Sequence, residues 1–346
     1  MGPKKVYLLP FSRMECKNKI FDTPMFKSLR DFLFLNNIKI ETLDYFDFKH
    51  GAMGGTLIVF NHPGQSLLKK FVKRIRGFIG GGAWAEEKYF TDYEKYFSPF
   101  RRKILFQWES PVITPNPYRD IEKLKQIYNK MLFAIKMKRF DYFHYPQTQK
   151  VILEECFENN DRGFITLISA NKRPGSSYEN ELYTERLRAI EYFSKHGLDL
   201  YGKDWKHQTN FSAPFRQYID MAFCGSPSDK YKTLSKYKFA ICYENSAYPG
   251  WITEKIFDCF LAGTIPIYLG APDISEYVPK NCFIDFNDFK DYVTLNNYLR
   301  NLSKEDIKVY KEAIRVFLSS DQYAKFQQET FFKNFLSMID EDHKLI

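Results

Sequence analysis

The stretch that decides the fold is residues 237–270, which read YKFAICYENSAYPGWITEKIFDCFLAGTIPIYLG. The first seven residues are mostly apolar, as in a central strand of a parallel sheet that is buried on both faces. After a polar loop, Thr253 is placed to cap a helix with one apolar face, and Gly263 is placed to end it. A second apolar run, 265–268, follows. The order strand, loop, helix, strand predicts a parallel βαβ unit.

Outward from this unit, short apolar runs alternate with amphipathic stretches along most of the 346 residues. This alternation predicts an α/β protein with two Rossmann-like domains. We place an N-terminal domain at 1–150, a C-terminal domain at 160–320 and a final helix within 321–346, beyond the second sheet. Residues 145–161 mix proline, glutamine, asparagine and charge, as is typical of a linker.

The predicted elements follow from the same patterns. In the first domain we predict strands at 6–9, 38–43, 56–60 and 104–108, with helices at 24–36 and 65–76. In the second we predict strands at 164–169, 198–201, 237–243, 265–268 and 282–284, with helices at 181–196, 253–262 and 321–338.

The composition excludes several classes of protein. The chain is 44% hydrophobic and 27% charged, which excludes a wholly disordered or collagen-like chain. No apolar run approaches the ~20 residues that span a bilayer, and residues 1–19 lack the apolar part of a signal peptide, so we predict a cytoplasmic protein. The six cysteines are scattered without metal-ligand spacing, which indicates reduced core residues and no metal site.

The net charge of +9 is compatible with a phosphorylated ligand, an anionic membrane surface or nucleic acid. Residues 65–79 combine apolar spacing with five basic side chains. This segment is either a domain helix with solvated charges or a helix that also docks on anionic lipid. The second interpretation predicts a peripheral position at the inner face of the membrane, close to lipid-linked acceptors.

Polar residues follow the strand at 237–243, beginning with Glu244 and Asn245. Open α/β sheets bind ligands at the carboxyl ends of their strands, so both are candidate ligand contacts. In the first turn of the next helix, Lys255 adds a cation where the helix dipole is already positive. This arrangement predicts a bound diphosphate, with Glu254 accepting hydrogen bonds from ribose hydroxyls. The alternative is a solvated pair of Glu254 and Lys255.

A second candidate cation lies on the helix predicted at 181–196. Tyr183, Arg186, Ile190 and Phe193 fall on one helical stripe, so Arg186 faces inward while Arg188 points elsewhere. The guanidinium of Arg186 suits a phosphate; a carboxylate within the protein is the alternative partner.

A candidate general base follows the strand predicted at 104–108. Glu109 lies between Trp108 and Ser110-Pro111. Burial beside an indole would raise the pKa of this carboxyl group and suit it to accept a proton. The alternative is a carboxylate that only caps the turn. His62, which follows the strand at 56–60, is the next candidate for the base.

Residues 237–270 closely resemble the donor-binding motif of the α1,3/4-fucosyltransferases, which are inverting enzymes of the GT-B fold. In that family a Tyr-Lys-Phe strand is followed by Phe-Glu-Asn-Ser, Ile-Thr-Glu-Lys, Ala-Gly and a proline-containing strand. The family's Phe-Glu-Ser-Pro signature appears here as Trp-Glu-Ser-Pro at 108–111. Its Arg-x-x-x-Tyr-x-x-Leu helix appears as Arg186, Ile190 and Phe193. The resemblance implies two Rossmann-like domains that face each other across a cleft.

The resemblance also implies roles for individual residues. Glu109 corresponds to the proposed base, and Arg186 and Lys255 correspond to the ligands of the diphosphate. The remaining donor contacts that it implies are Glu254 to the ribose, Asn245, Trp251 and, for stacking on guanine, Phe223.

The implied reaction is a single displacement in which L-fucose passes from GDP-fucose to a glycan hydroxyl, expected to be O3 of GlcNAc, without a metal cofactor. Three alternatives stay open. The chain could use another GDP-sugar on the same fold, or bind glycans without catalysis. A basic nucleic-acid-binding module is the third, although we expect no nucleic-acid partner.

Overall fold

The computed structural model describes residues 3–51, 53–63, 88–147, 157, 162–174, 179–206 and 212–340. The helix predicted at 65–76 and the basic segment 65–79 lie outside these residues. The chain divides into two compact units. One comprises Met1–Phe143 with Gln328–Ile346, and the other comprises His144–Gln327. Each unit is a parallel sheet with helices, so the predicted α/β class is confirmed.

The first unit is built on six parallel strands in its described part. They are β1 (Lys4–Leu9), β2 (Ile38–Thr42), β3 (Thr56–Phe60), β4 (Arg102–Gln107), β5 (Lys130–Phe133) and β6 (Asp141–Tyr142). The order across the sheet is β2-β1-β3-β4-β5-β6. The helices are α1 (Pro24–Leu35), α2 (Lys88–Thr91), α3 (Tyr93–Phe97), α4 (Asn116–Arg119) and α5 (Ile121–Ile127).

The second unit also carries six parallel strands among its described residues. They are β7 (Gly163–Ile168), β8 (Leu198–Tyr201), β9 (Phe223–Gly225), β10 (Tyr237–Tyr243), β11 (Ile265–Leu269) and β12 (Ile284–Asp285). The helices are α6 (Tyr183–Phe193), α7 (Arg216–Ala222), α8 (Lys230–Leu234), α9 (Glu254–Leu261), α10 (Tyr292–Asn301), α11 (Lys304–Leu318) and α12 (Asp321–Ala324).

The strand order of the second sheet, β12-β11-β10-β7-β8-β9, locates its ligand-binding edge. After β7 the chain adds strands on one side, and after β10 it adds them on the other. The topological switch therefore lies between β7 and β10, and their carboxyl ends border the crevice where open α/β sheets bind ligands. No helix in the described ranges has the length and hydropathy of a membrane span.

Strand β10 is buried on both faces, as its apolar sequence predicts. Phe239, Ile241 and Tyr243 pack into the hydrophobic cluster on one side of the sheet. Ala240 and Cys242 pack into the cluster on the other side. Alternate residues of a strand point to opposite faces, so a strand with a core on each side is apolar throughout.

The prediction that the cysteines are reduced core residues holds for four of the five described cysteines and is wrong for Cys224. The described cysteines carry no disulfide, and Cys16, Cys242, Cys259 and Cys282 are buried. Cys224, by contrast, is exposed. It lies on the three-residue strand β9 at the edge of the sheet, where one side lacks a neighbouring strand.

The C-terminal region differs from the single helix predicted at 321–338. The structure divides it into α12 and a separate helix, α13 (Gln328–Ile339). Helix α13 belongs to the first unit, where Phe335 packs on Phe106 with ring centroids 5.1 Å apart. Lys4 Nζ donates to the carbonyl oxygen of Ile339 over 2.9 Å at the end of this helix. The aromatic face of α13 therefore completes the core over the first sheet.

Candidate functional site

The loop after β10 is organised by one buried carboxylate. Glu244 is fully buried, and its Oε1 accepts a hydrogen bond from the backbone N–H of Thr253 over 2.8 Å. The hydroxyl of Thr253 donates to the same carboxylate, so it does not cap its own helix although Thr253 stands at the N-cap. A Cβ at Gly270 would lie 2.7 Å from Cγ of Glu244, which explains the glycine there. Glu244 thus fixes the start of α9.

Lys255 is held by the same carboxylate. Its Nζ lies 2.9 Å from Oε2 of Glu244 and 2.9 Å from the hydroxyl of Thr253. Burial opposes the charge on Lys255, but the carboxylates of Glu244 and Glu254 outweigh it and raise the pKa of the lysine. The ammonium group is therefore kept charged near neutral pH. The partner of Lys255 is Glu244, and the solvated pair with Glu254 is not formed.

Arg186 faces inward, as its helical stripe predicts. Only 5% of Arg186 is exposed, whereas the side chain of Arg188 is 61% exposed and pairs with Glu185. Nη2 of Arg186 donates to the carbonyl oxygen of Tyr243 and to Oδ1 of Asn245, each over 2.7 Å. These acceptors are neutral, so the alternative of a carboxylate partner is not what the structure shows. Two predicted donor-binding residues, Arg186 and Asn245, are in direct contact.

A third cation, Lys230, was not predicted. It is the first residue of α8 and forms an ion pair with the buried Asp258, which also accepts from the hydroxyl of Tyr231 over 2.8 Å. Burial opposes its charge, but Asp258 and Glu254 outweigh this and raise the pKa of Lys230. Together with Arg186 and Lys255, it lines a small pocket at the carboxyl ends of β7 and β10.

One signal in the sequence could have indicated Lys230. Asp258 stands on α9 among Ile256, Phe257 and Phe260, which are fully buried. An acidic residue on an apolar helical face needs a cationic or hydrogen-bonding partner. The partner is 28 residues away in sequence, so its identity does not follow from local spacing.

The other residues predicted to contact the donor, Glu254, Trp251 and Phe223, lie in three different places in the second unit. Glu254 lies in the first turn of α9; burial opposes its charge, but Lys255 and Lys230 outweigh it and lower the pKa of the carboxyl group. Trp251 is 2% exposed, and its Nε1 has no hydrogen-bond acceptor among the described residues. Phe223 lies on β9, three strands from β10, or about 14 Å at the usual strand spacing. Strands β7 and β8 therefore lie between Phe223 and β10 in the sheet.

Glu109 lies in the first unit, directly after β4 and Trp108. Its backbone N–H and that of Trp108 both donate to Oδ1 of Asn61, over 3.3 and 2.8 Å. The hydroxyl of Tyr118 donates to the carbonyl oxygen of Glu109 over 2.7 Å. Asn61 adopts a left-handed backbone conformation with φ of 58°, which asparagine tolerates better than most residues. The backbone that carries the Glu109 side chain is thus fixed on both sides.

His62, the other candidate base, is next to Asn61 at the end of β3. Its Nδ1 lies 2.8 Å from the hydroxyl of the buried Tyr128. Burial lowers the pKa of His62 from 6.5 to about 4, so the imidazole is neutral near pH 7. In the described ranges, no three His, Cys, Asp or Glu side chains are grouped so as to hold a metal ion.

Comparison with known proteins identifies the region that contains this pocket. Residues 176–338 match the glycosyltransferase family 10 (fucosyltransferase) C-terminal domain. These residues are therefore similar to the C-terminal domain of that family. The predicted resemblance is thereby confirmed, and the match includes Arg186, Lys230, Asn245 and Lys255.

Relatives that match part of this chain are named as fucosyltransferases. The chain is 32% identical to the alpha-(1,3)-fucosyltransferase FucT of Helicobacter pylori over 197 residues, which are 56% of this chain and 34% of that protein. It is 38% identical to the mouse 4-galactosyl-N-acetylglucosaminide 3-alpha-L-fucosyltransferase 9 over 80 residues, 22% of each chain. The matched region is thus about a third or less of the length of these relatives.

A solved structure supports the fold over nearly the whole chain. The crystal structure of an alpha1,3-fucosyltransferase with GDP superposes with a TM-score of 0.53, at 15% sequence identity. It covers 99% of this chain and 92% of that protein. The chain therefore shares the fold of that structure over nearly its whole length.

Proposed function

We propose that this chain is an inverting fucosyltransferase that transfers L-fucose from GDP-fucose to a glycan hydroxyl. The observation that carries the proposal is the cluster of Arg186, Lys230 and Lys255 at the switch point of the second sheet, within the family 10 domain. Cations at the start of a helix and at the carboxyl ends of central strands suit a nucleoside diphosphate. The H. pylori and mouse relatives are named as fucosyltransferases, which supports fucose as the transferred sugar.

In this proposal the diphosphate binds against the three cations. Nη1 of Arg186 makes no hydrogen bond within the described residues, whereas Nε and Nη2 hold β10 and Asn245. Arg186 can therefore position Asn245 with one side of the guanidinium and bind a phosphate oxygen with the other. Glu244 acts as a positioning residue, because its carboxylate is fully buried and directs Lys255.

The other donor contacts complete the nucleotide site. The carboxylate of Glu254, kept ionised by Lys255 and Lys230, accepts hydrogen bonds from ribose hydroxyls. The indole N–H of Trp251 supplies a further donor toward the GDP-fucose. We keep Phe223, on the edge strand β9, as the candidate for stacking on guanine.

Glu109 is the general base of the proposed reaction. Its carboxylate removes the proton from the acceptor hydroxyl while that oxygen attacks the anomeric carbon of fucose. The bond to GDP breaks in the same step, and the charge that develops on the diphosphate is stabilised by Arg186, Lys230 and Lys255. Attack from the face opposite to the leaving group inverts the anomeric configuration.

The acceptor that we propose is O3 of a GlcNAc residue in a glycan. The printed name of the mouse relative describes a 3-fucosyltransferase acting on 4-galactosyl-N-acetylglucosaminide, which supports this position. A lipid-linked glycan at an anionic membrane stays a prediction from the basic segment 65–79, outside the described residues. Pelleting with anionic liposomes at low ionic strength tests it; no lipid-dependent pelleting leaves only a domain helix.

The test of the function is transfer from GDP-fucose to a panel of galactose- and GlcNAc-containing acceptors, with GDP-mannose as the competing donor. We expect fucose transfer with GDP-fucose alone. Glu109→Gln keeps the size of the side chain but accepts a proton poorly, so turnover should fall about 100-fold or more. Calorimetry should show nearly unchanged GDP affinity in this variant. Transfer from GDP-mannose would instead identify another GDP-sugar transferase.

Two further outcomes would contradict the proposal. Acceptor binding without any transfer, equally strong in the wild type and in Glu109→Gln, would indicate a noncatalytic glycan-binding protein. Full turnover in Glu109→Gln would show that another group is the base. His62→Gln then tests the second candidate, because His62 lies next to Asn61, which holds the backbone of Glu109.

A further inference from the structure

A second basic pocket lies at the opposite end of the second sheet from the cluster of Arg186, Lys230 and Lys255. Its volume is about 380 Å³. It borders the amino ends of β7 and β10, near Arg162 and Lys238, and the start of α11. Strand β10 is seven residues long, so the two ends are about 20 Å apart. We call this cavity the rear pocket.

Five cationic side chains line the rear pocket, and none of the described residues that line it is acidic. They are Arg162, Lys238, Arg300, Lys304 and Lys311. This density of one charge in a concave site concentrates the positive potential there. A ligand that enters the pocket should therefore be anionic.

Two of these cations are buried. Arg162 and Lys311 are each 8% exposed. Nη1 of Arg162 donates to the carbonyl oxygens of Tyr237 and Gly263, over 3.1 and 2.7 Å. Nζ of Lys311 donates to the carbonyl oxygen of Phe157 over 2.8 Å. These carbonyl oxygens orient both groups in the wall of the pocket.

The other three cations lie at the rim. Lys238, Arg300 and Lys304 form no ion pair within the part of the chain that the structure describes. Arg300 is ordered without one: its guanidinium lies 4.1 Å from the ring centroid of Phe164, and Nη2 donates to the carbonyl oxygen of His196 over 2.8 Å. An ordered guanidinium loses little further freedom when it binds an anion.

One carboxylate in the first turn of α11 already has hydrogen-bond donors of its own. Oδ2 of Asp306 accepts hydrogen bonds from the backbone N–H and the hydroxyl of Ser303, over 2.8 and 2.6 Å, which closes the helix cap. Asp306 is not among the residues that line the pocket. It therefore does not neutralise the rim lysines from within the pocket.

Apart from Ser303, the rest of the described lining is apolar. The apolar side chains of the wall are Phe164, Phe239, Leu299, Leu302 and Ile307. A pocket of this size with several apolar side chains is in the range of small-molecule sites, and a bare inorganic ion would leave the apolar wall in contact with water. The lining therefore matches a ligand with an anionic group and an apolar or aromatic part.

We propose that the rear pocket binds an organic phosphate whose phosphate or diphosphate contacts Lys238, Arg300 and Lys304 and whose apolar or aromatic part contacts Phe164, Leu302 and Ile307. The proposal stands on this pocket alone and does not depend on the transfer reaction. Two sources share this chemistry: a free nucleotide and the phosphate headgroup of a lipid. The experiment below distinguishes them.

The test is calorimetric titration with three probes, with GDP present in saturating amount so that the donor site is occupied. The probes are inorganic pyrophosphate, adenosine diphosphate and dihexanoyl phosphatidic acid. The test variant is Lys238→Glu/Lys304→Glu, because both lysines are exposed. The matched control is Lys232→Glu/Lys308→Glu, which makes the same charge change at exposed lysines outside the pocket.

We expect the test variant to bind the phosphate probes at least 10-fold more weakly than the wild type, and the control variant to bind them like the wild type. Equal binding by test and control variants would overturn the proposal. Arg300→Gln, which keeps a neutral polar side chain over Phe164, should weaken binding in the same direction. The melting temperature of each variant checks that it is folded.

The two organic probes distinguish a nucleotide from a lipid headgroup as the ligand. Tighter binding of adenosine diphosphate than of pyrophosphate identifies a nucleotide site, and tighter binding of the phosphatidic acid identifies a lipid headgroup site. If neither binds more tightly than pyrophosphate, the apolar wall does not contact the ligand, and the proposal of an organic phosphate is wrong.

Discussion

Arg186 and Lys255 line the same pocket but are held in different ways, and this difference decides what each substitution does. Arg186 is held by neutral oxygens of Tyr243 and Asn245. Lys255 is paired with the carboxylate of Glu244, which is fully buried. Removing the arginine leaves neutral groups behind, whereas removing the lysine leaves a buried charge without its cation.

Arg186→Ala and Lys255→Ala should each weaken GDP binding by about 1–3 kcal/mol, because each removes a charge-assisted contact to the diphosphate. Lys255→Ala should in addition lower the free energy of unfolding by about 3 kcal/mol, and Glu244→Gln in the same chain should restore much of that loss. Calorimetry measures the first effect and urea unfolding the second. Arg188→Ala, at the exposed arginine of the same helix, is the control and should change neither.

Unchanged GDP affinity in both folded variants would remove the assignment of the donor site. If Glu244→Gln failed to restore stability to Lys255→Ala, the buried ion pair would not be what fixes the start of α9.

Lys230 tests whether the pocket uses the third cation. Lys230→Met should weaken GDP binding about 10-fold, because the methionine keeps much of the aliphatic stem but not the charge. The exposed Lys232, two residues along α8, offers the matched control Lys232→Met, which should leave GDP affinity unchanged. If Lys230→Met lowers only the stability, then Lys230 serves Asp258 alone and not the ligand.

At the scale of single elements, the sequence predicts best where packing and local pattern agree. Strand β10 has the predicted bounds because it is buried on both faces, which a run of apolar residues encodes directly. Helix α9 has its N-cap position, apolar face and terminal glycine within eleven residues, although the hydroxyl of Thr253 bonds Glu244 and not the helix. By contrast, β6 and β9 are only two or three residues long, too short to show an apolar periodicity, and were not predicted. The strand predicted at 282–284 is shifted in the structure to β12, Ile284–Asp285.

In the candidate site, too, some features follow from local sequence pattern and others depend on tertiary packing. Arg186 and Lys255 are placed by helical periodicity, so their orientation and neighbourhood follow from spacing. The contacts that fix them do not: the pairing of Lys255 with Glu244 and of Lys230 with Asp258 depends on how β10, α8 and α9 pack in three dimensions. Lys230 and Asp258 are 28 residues apart in the chain, so only the tertiary structure shows that they pair.

The junction of β3 and β4 makes a prediction about pH. His62 follows β3, its backbone N–H donates to Oε1 of Gln107 on β4, and its half-buried imidazole packs against Tyr128. Burial lowers the pKa of the folded state to about 4 from the ordinary 6.5. The unfolded chain therefore binds the proton first as pH falls, so the stability that is present above pH 6.5 is lost progressively below it.

His62→Gln removes this group while keeping a polar side chain that can bond Tyr128. Between pH 7 and pH 5, the free energy of unfolding of the wild type should fall by about 2 kcal/mol more than that of the variant. Urea unfolding at both pH values measures the difference. His50→Gln, at an exposed histidine, should leave the fall as in the wild type. An unchanged fall in His62→Gln would show that the imidazole is not held neutral.

At the scale of the whole molecule, the chain passes from the first unit to the second and then returns. Helix α13 follows the second unit in sequence but belongs to the first. At the C-terminal end of α13, the carbonyl oxygen of Ile339 accepts hydrogen bonds from Lys4 on β1 and Arg102 on β4. Cations at a helix C-terminus satisfy carbonyl groups that have no partner within the helix.

The sequence pattern alone predicts that α13 is a helix with an apolar face but not which sheet it covers. An apolar stripe fits any exposed apolar surface, and adjacency in sequence favours the nearer unit. The deciding features are tertiary: Phe331 packs on Trp108 with ring centroids 5.4 Å apart, and Phe332 packs on Phe32 at 5.7 Å. These rings are more than 200 residues apart in the chain.

Because α13 packs in the first unit, we expect a substitution that weakens its packing to destabilise that unit more than the second. Phe335 is 1% exposed and packs on Phe106 of β4, so Phe335→Ala should cost about 3–5 kcal/mol through lost burial and a cavity. Hydrogen exchange should then accelerate in β4 and much less in β10.

Phe257→Ala, at a fully buried residue beside β10, is the matched variant and should reverse the pattern. Because each sheet has its own core, local opening should follow the unit and not the order of the chain. Equal acceleration in both strands for either variant would show that the two units open as one.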